Sequence, residues 1–304
     1  MYVDSGLRYL DLPKRRVGVD MRLISSLSSF INAWRDYPAE KNTVLGNRYI
    51  VQNMIGEGSY GLIYKCMDRK SGQIVAVKQA RPSKGSYAEH LLNREAAILK
   101  SLQHSHIPAY LDLFTDHRHI YLVMSYMNGD TLEDLIFEQN QKYQEADCVS
   151  ITMQLMELVL YLHKQGFVHL DLRIPNVLFK NGELNLIDFG LARRIGEPPP
   201  LRKPTRPWFR HGRKISSEHH KISQESEDLQ DIGHFMLFML YSVYEPESSQ
   251  SVIAERSWQE ELQLSSELKM MIERLLQLRD PYSGSSEFMK ELRWLVNAKN
   301  FPSK

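Results

Sequence analysis

The chain has 304 residues, 42% of them hydrophobic and 25% charged, with a formal net charge of +1: ordinary globular values, and enough length to bury a large core. That balance gives no global pull toward nucleic acid or an anionic membrane, so no nucleic-acid partner is expected and any such attraction must be local. The two cysteines, Cys66 and Cys148, lie far apart and argue against a disulfide framework, and no apolar run approaches the ~18 residues of a membrane span.

The first 19 residues show no strong periodicity. Asp4, Arg8 and Asp11 leave no apolar stretch near the start, so a signal peptide is not expected and the protein reads as cytoplasmic. Leu23, Ile24, Leu27, Phe30, Ile31 and Trp34 then fall on one face of a helix over 21–35, led in by Lys14-Arg15-Arg16. Two readings stay open for it: packing on the domain that follows, or weak peripheral membrane contact through residues 14–35. From Tyr49 the pattern becomes strand-rich. Tyr49–Ile55, Leu62–Cys66 and Ile74–Gln79 predict a three-stranded meander, Tyr87–Leu102 a helix, and Leu111–Phe114 and Ile120–Met124 two more strands.

After Asn128-Gly129 the chain turns helical. Helices are predicted over Leu132–Gln139, Ala146–Lys164, Asp228–Tyr244, Ser257–Glu261, Ser266–Leu278 and Ser286–Asn297. Val177–Lys180 and Leu184–Asp188 predict a hairpin turning at Asn181-Gly182, and residues 193–224 read as irregular and proline-rich. A strand-rich half before a helix-rich half is an α+β pattern, with a cleft between lobes as the natural ligand site.

The chemistry-bearing residues fall in a telling order. Gly56-Glu57-Gly58-Ser59-Tyr60-Gly61 lies between two strands rather than between strand and helix, which suits a hairpin whose bare backbone approaches phosphates. Lys78 closes Val75-Ala76-Val77-Lys78 one strand over, within reach of the same phosphates. A lysine among apolar neighbours needs a counter-charge, and Glu95 on the following helix is the candidate ahead of Glu89. His169-Leu170-Asp171-Leu172-Arg173-Ile174-Pro175-Asn176 and Asp188-Phe189-Gly190 supply one carboxylate to accept a hydroxyl proton, and a second carboxylate and an amide to hold Mg²⁺.

Taken together these segments resemble the protein-kinase signature series, from about Arg48 to Val296, and look most like the small soluble eukaryotic-like serine/threonine kinases of bacteria. The resemblance implies a bilobal kinase fold, with a β-rich N-lobe, a helical C-lobe and an ATP cleft between them. It divides the chain into an N-terminal extension (1–47), an N-lobe (48–127) and a C-lobe (128–300). It also implies ATP with Mg²⁺, or Mn²⁺ in its place, and transfer to a hydroxyl of a protein, serine or threonine ahead of tyrosine. By the same resemblance Asp171 is the catalytic base, Arg173 neutralises the transferring group, Lys78 and Glu95 form the phosphate-binding pair, and Asn176 and Asp188 are the metal ligands. Ile55, Gly56, Gly58, Ser59, Gly61, Ile63, Ala76, Met124, Ser125, Tyr126, Met127 and Asp130 complete the expected nucleotide site, and Asp228 is expected to anchor the catalytic-loop backbone.

The chain also departs from the pattern. Leu170 stands where an arginine usually pairs with activation-loop phosphate, Arg173 replaces a lysine, and Pro175 comes one position late. Glu218 and Gly284 stand near where a glutamate–arginine ion pair is expected. Between Arg193 and Lys214, eight cations (Arg193, Arg194, Arg202, Lys203, Arg206, Arg210, Arg213 and Lys214) face a single acid, Glu197. That run is either a solvated loop or the border of a groove for acidic substrates. Two other functions stay open: a small-molecule phosphotransferase of the aminoglycoside type, and a non-catalytic pseudokinase scaffold.

Overall fold

The computed structural model describes residues 36–198, 224–245 and 256–299. The expected helix over 21–35 and most of the basic run, Arg202 to Lys214, lie outside them, as does Glu218. Six strands build one antiparallel sheet: β1 (Val44–Leu45), β2 (Tyr49–Glu57), β3 (Gly61–Asp68), β4 (Ile74–Ala80), β5 (Tyr110–Asp116) and β6 (His119–Ser125), in the order β1-β2-β3-β4-β6-β5. The two-residue alternation of strand side chains divides β4 between two environments. Val75 and Val77 join Leu45, Val51, Leu62, Tyr64 and Cys66 in a small core on one face. Ala76 and Ala80 belong to the larger core on the other face, where the helix α1 (Ser86–Ser101) packs. The alternation puts Lys78 on that same inner face.

The second half holds α2 (Leu132–Phe137), α3 (Glu145–Lys164), α4 (Gln224–Tyr241), α5 (Trp258–Glu261), α6 (Ser266–Leu275) and α7 (Ser285–Ala298). α3 packs against α7 and α4, and α4 against α6, through fully buried Leu155, Met156, Phe235, Met236, Met271 and Leu292. Between the halves run the short strands β7 (Asp130–Thr131), β8 (Phe167–Val168), β9 (Val177–Lys180), β10 (Glu183–Leu186) and β11 (Arg193–Arg194). β10, β9 and β7 form one small sheet, and β11 pairs with β8. This is the expected bilobal α+β architecture. Among the described residues no helix is long and apolar enough to cross a membrane.

The expected boundaries shift for identifiable reasons. α4 already runs through Gln224–Glu227, ahead of the expected Asp228, with Glu225 and Glu227 in its first described turn. α6 stops at Leu275 rather than Leu278: Gln277 takes φ 60°, and Leu278 N–H closes onto Glu273 O at 2.8 Å in a left-handed helix stop. The strand expected through Asp188 ends at Leu186, since Asp188 itself adopts φ 61°. Residues 36–47, counted with the extension on sequence, run along the sheet and contribute β1.

Candidate active site

The inner face of the β sheet forms the roof of a cleft. Ile55, Ile63 and Ala76 line it from above, Met124, Ser125, Tyr126 and Met127 from the connection between the halves, and Leu178 and Ile187 from below. Met124 pairs across the sheet with Ala76, and a mostly apolar slot opens beside the chain's crossing point. Pro108, Gly129, Thr131 and Asp134 also line it, and the sequence reading did not single these out. Asp130 lies outside the lining. Its carboxylate accepts a hydrogen bond from Gln139 at 3.2 Å and borders a neighbouring hollow. Asp134, one helical turn on, makes a capping box with Thr131 that starts α2. The Thr131-x-x-Asp134 spacing is the signal that could have drawn attention to it.

Gly56, Gly58, Ser59 and Gly61 make the hairpin between β2 and β3, closed by Gly58 N–H to Gly61 O at 2.9 Å. Gly61 is closely packed: a Cβ there would stand 3.1 Å from Lys78 Cε and 3.2 Å from Gln79 O, so these neighbours would have to give by a few tenths of an ångström. The hairpin therefore lies directly over Lys78.

Lys78 joins the two halves of the site. Its Nζ lies 2.7 Å from Glu95 Oε2 and 2.7 Å from Asp188 Oδ1. Glu95 is only 2% exposed, the one acid in the buried stripe of α1. Burial alone would drive the Lys78 ammonium toward neutrality, but Asp188 and Glu95 outweigh it and hold its pKa above the usual lysine range. Burial pushes the Glu95 carboxyl upward against the pull of Lys78. Asp188 is likewise resisted by burial, yet the Lys78 charge and bond and the Gly190 N–H hold it down at about 2. Glu89 takes no part in this network; its carbonyl oxygen accepts from Asn93.

Across the cleft, Asn176 Nδ2 donates to Asp171 O at 2.9 Å and Oδ2 at 2.8 Å. Arg173 grips the same carboxylate, Nε to Oδ1 at 2.6 Å and Nη2 to Oδ2 at 3.0 Å. This loop is set by α4. Asp228, fully buried, accepts from His169 N–H at 3.0 Å, Leu170 N–H at 2.7 Å and His163 Nε2 at 2.8 Å. Asp228 thus anchors the loop as expected. Asp231, which sequence reading passed over, accepts from Leu172 N–H at 3.2 Å. Buried His169 meets Phe189 edge-on with ring centroids 4.9 Å apart, which seats the loop against the Asp188–Gly190 turn.

The donor set suits a hard divalent cation. Asn176 spends its amide hydrogens on Asp171 and keeps its oxygen; Lys78 and Gly190 bond Asp188 through Oδ1, which leaves Oδ2. Among the described residues no cluster of three His, Cys, Asp or Glu forms a metal site, so a cation here would draw its remaining ligands from phosphate and water.

Comparison with known proteins agrees with this geometry. Residues 49–287 match the protein kinase domain family. A Bacillus subtilis protein, named "Probable serine/threonine-protein kinase YbdM", is 30% identical over 265 residues, covering 86% of this chain and 95% of its own length. "Cyclin-dependent kinase D-1" of Arabidopsis thaliana is 33% identical over 161 residues, 52% of this chain but only 40% of that protein. A crystal structure of a kinase domain superposes with a TM-score of 0.53 over 68% of both chains at 18% identity, a likeness of fold alone. With the glycine hairpin, the Lys78–Glu95–Asp188 network and the Asp171 loop converging on one cleft, and a family match over most of its length, the chain belongs to the protein kinase domain family.

Proposed function

We propose that this cleft is the site of an ATP- and Mg²⁺-dependent serine/threonine protein kinase, with Asp171 as the base that receives the hydroxyl proton. The observation that carries the reading is the convergence of Lys78, Glu95 and Asp188 within 2.7 Å contacts, facing an Asp171 held by Asn176 and Arg173. Adenine would lie between Ile55, Ile63 and Ala76 above and Leu178 below, with its edge on the backbone of Ser125–Met127 beside Met124. Gly56, Gly58, Ser59 and Gly61 would cover the phosphates with main chain, and Lys78, kept charged by Glu95, would hold them. Asn176 and Asp188 would hold Mg²⁺, or Mn²⁺ in its place, which when bound neutralises phosphate charge.

The remaining steps belong to this chain's own groups. Asp171 presents a carboxylate fixed at both oxygens, so a substrate hydroxyl meets an oriented acceptor rather than a mobile one. Arg173, more than half exposed, can turn from that carboxylate to the phosphoryl group in transfer. A cation two residues after the base favours serine and threonine over tyrosine, and the names of the relatives support the same choice.

The reading extends to the whole chain. It is a compact kinase of the small soluble bacterial kind, cytoplasmic, with lobes at 48–127 and 128–300 and an N-terminal extension. Residues 14–35 would lend weak contact with anionic membranes, which vesicle co-sedimentation of the full chain against a deletion of residues 1–35 would test. The decisive experiment on the site is transfer of labelled γ-phosphate to a protein acceptor. Asp171→Asn is expected to cost ~10²–10⁴ in kcat/KM with the thermal midpoint retained. Full activity in that variant, or phosphotyrosine as the sole product, would overturn the assignment.

A further inference from the structure

Arg81 follows β4 directly and extends its guanidinium across the base of the glycine hairpin. Its Nη1 donates to Gly58 O at 2.6 Å and its Nη2 to Glu57 Oε1 at 2.6 Å. The third nitrogen, Nε, donates to Asp36 Oδ2 at 2.7 Å. Asp36 is also held from its other side: Ser83 N–H donates to Oδ1 at 2.8 Å and Ser83 Oγ to Oδ2 at 2.6 Å. Three residues on, Ala39 N–H donates at 3.1 Å to the hydroxyl of fully buried Tyr64, so this leading segment is fastened to the sheet at two points.

A guanidinium is a rigid planar fork, so fixing one of its nitrogens fixes the direction of the others. The Asp36 side chain is 9% exposed and that of Arg81 19%, whereas that of Glu57 is 51% exposed. The Asp36 end is therefore the firm anchor of the three and the hairpin end the loose one. Freed from Asp36, a long arginine side chain regains rotamers, and its two bonds to the hairpin lose their preparation. What else closes the hairpin is main chain, Gly58 N–H to Gly61 O and Arg81 N–H to Tyr60 O at 2.8 Å, together with the Tyr60 ring, which meets Tyr87 edge-on with centroids 5.5 Å apart.

We infer that Asp36, acting through Arg81, is a positioning residue for the glycine hairpin, so that the segment leading into the N-lobe sets the enzyme's grip on nucleotide phosphates. The inference rests on the reading of the hairpin as the phosphate cover. Asp36 touches no reacting group, and its effect belongs to phosphate binding rather than to adenine binding. The adenine slot is lined by Ile63, Ala76, Met124 and Leu178, none of which Arg81 bonds.

The test is calorimetric titration of the full chain with Mg²⁺-ATP and, separately, with adenosine. Asp36→Ala is expected to weaken ATP binding ~5–10-fold, the net worth of about one ordinary hydrogen bond, while adenosine binding changes less than ~2-fold. Asp36→Asn, which keeps the shape and removes the charge, should show the same selective loss at smaller size and guards against simple misfolding. In an Arg81→Met background, Asp36→Ala should then do nothing further to the ATP-to-adenosine ratio, because the intermediary is gone. As a control, Asp116→Asn weakens the acceptor for Gly46 N–H at 2.9 Å, which fastens the same leading segment at its far end away from the hairpin. It should lower the thermal midpoint and leave the ratio unchanged. Equal losses for ATP and adenosine in Asp36→Ala, or a ratio that Asp116→Asn moves as much, would overturn the inference. A wild-type protein that binds ATP no more tightly than adenosine would instead overturn the reading of the hairpin itself.

Discussion

Asp231 offers a test in which two substitutions of one side chain separate the cost of its charge from the worth of its hydrogen bond. Its carboxyl is pushed up to about 6, first by burial and then by the nearby charges of Asp228, Asp171 and Glu227, with the Leu172 N–H pulling the other way. A raised acid pKa means that the folded protein holds this proton more tightly than the unfolded chain does. The group therefore lowers stability once pH exceeds the unfolded value near 4, and the penalty reaches its full size above the folded value near 6. Two pH units correspond to ~3 kcal/mol, which partial access to solvent reduces to ~1–2 kcal/mol. Asp231→Asn cannot ionise, and its amide oxygen can still accept from Leu172. It should raise the thermal midpoint by ~2–6 °C at pH 8 and by progressively less toward pH 5. Asp231→Ala removes the acceptor and orphans the Leu172 N–H, a cost of ~1–3 kcal/mol that outweighs or cancels the gain. Thermal unfolding of the three proteins from pH 5 to 8 decides the matter. An Asn variant whose advantage is constant with pH, or negative at pH 8, would refute the argument. The reason for keeping a costly carboxylate is local: Leu172 follows Asp171 directly, so this acceptor fixes the chain beside the proposed base.

Three further outcomes follow from the same geometry. Leu170 sits at φ 63°, where asparagine is tolerated and a β-branched side chain is not, so Leu170→Asn should be neutral or slightly stabilising and Leu170→Val should cost ~1–2 kcal/mol in denaturant unfolding. Asp228→Ala removes the acceptor for two loop amides and His163 at once and should cost ~3–5 kcal/mol, with kinase activity falling at temperatures where the variant is still folded. The excess of Arg and Lys between Arg193 and Lys214 should make an acidic peptide a better substrate than a basic one of equal length, with an advantage that shrinks as salt rises; a preference for basic peptides would remove the groove reading.

Much of the site was legible in the sequence because each motif ties a side-chain type to a local backbone demand. Gly61 packs closely against Gln79 O and Lys78, Lys78 sits within a buried strand, and Glu95 is the acid that falls on the buried stripe of α1. Those constraints act over a few residues and leave a readable mark. What escaped detection was either too short or too distant. β1, β7, β8 and β11 are two residues each, below any periodicity. The Asp36–Arg81 pair spans 45 positions, and Asp231 reaches Leu172 across 59, separations at which one chain carries no pairing signal. Asp130 was named from its place just after the crossing segment, whereas the cleft is lined by Asp134, which the helix start at Thr131 brings to it.

The replacement of arginine by leucine at 170 acquires a physical meaning from these distances. The loop's left-handed turn at this residue is held by its own N–H, which donates to Asp228 Oδ1 at 2.7 Å, a bond that any side chain at 170 leaves in place. Asp188 shows the same arrangement: a non-glycine residue at φ 61°, secured by Lys78 and by Gly190 N–H. Each such conformation costs on the order of 1–3 kcal/mol and persists only where its surroundings over-determine it. Among the described residues they do so from buried groups, Asp228 on α4 and Lys78 on β4. Asp171 and Asp188 are therefore brought into register by the two cores on either side of the cleft. A leucine at 170 leaves both of these anchors in place.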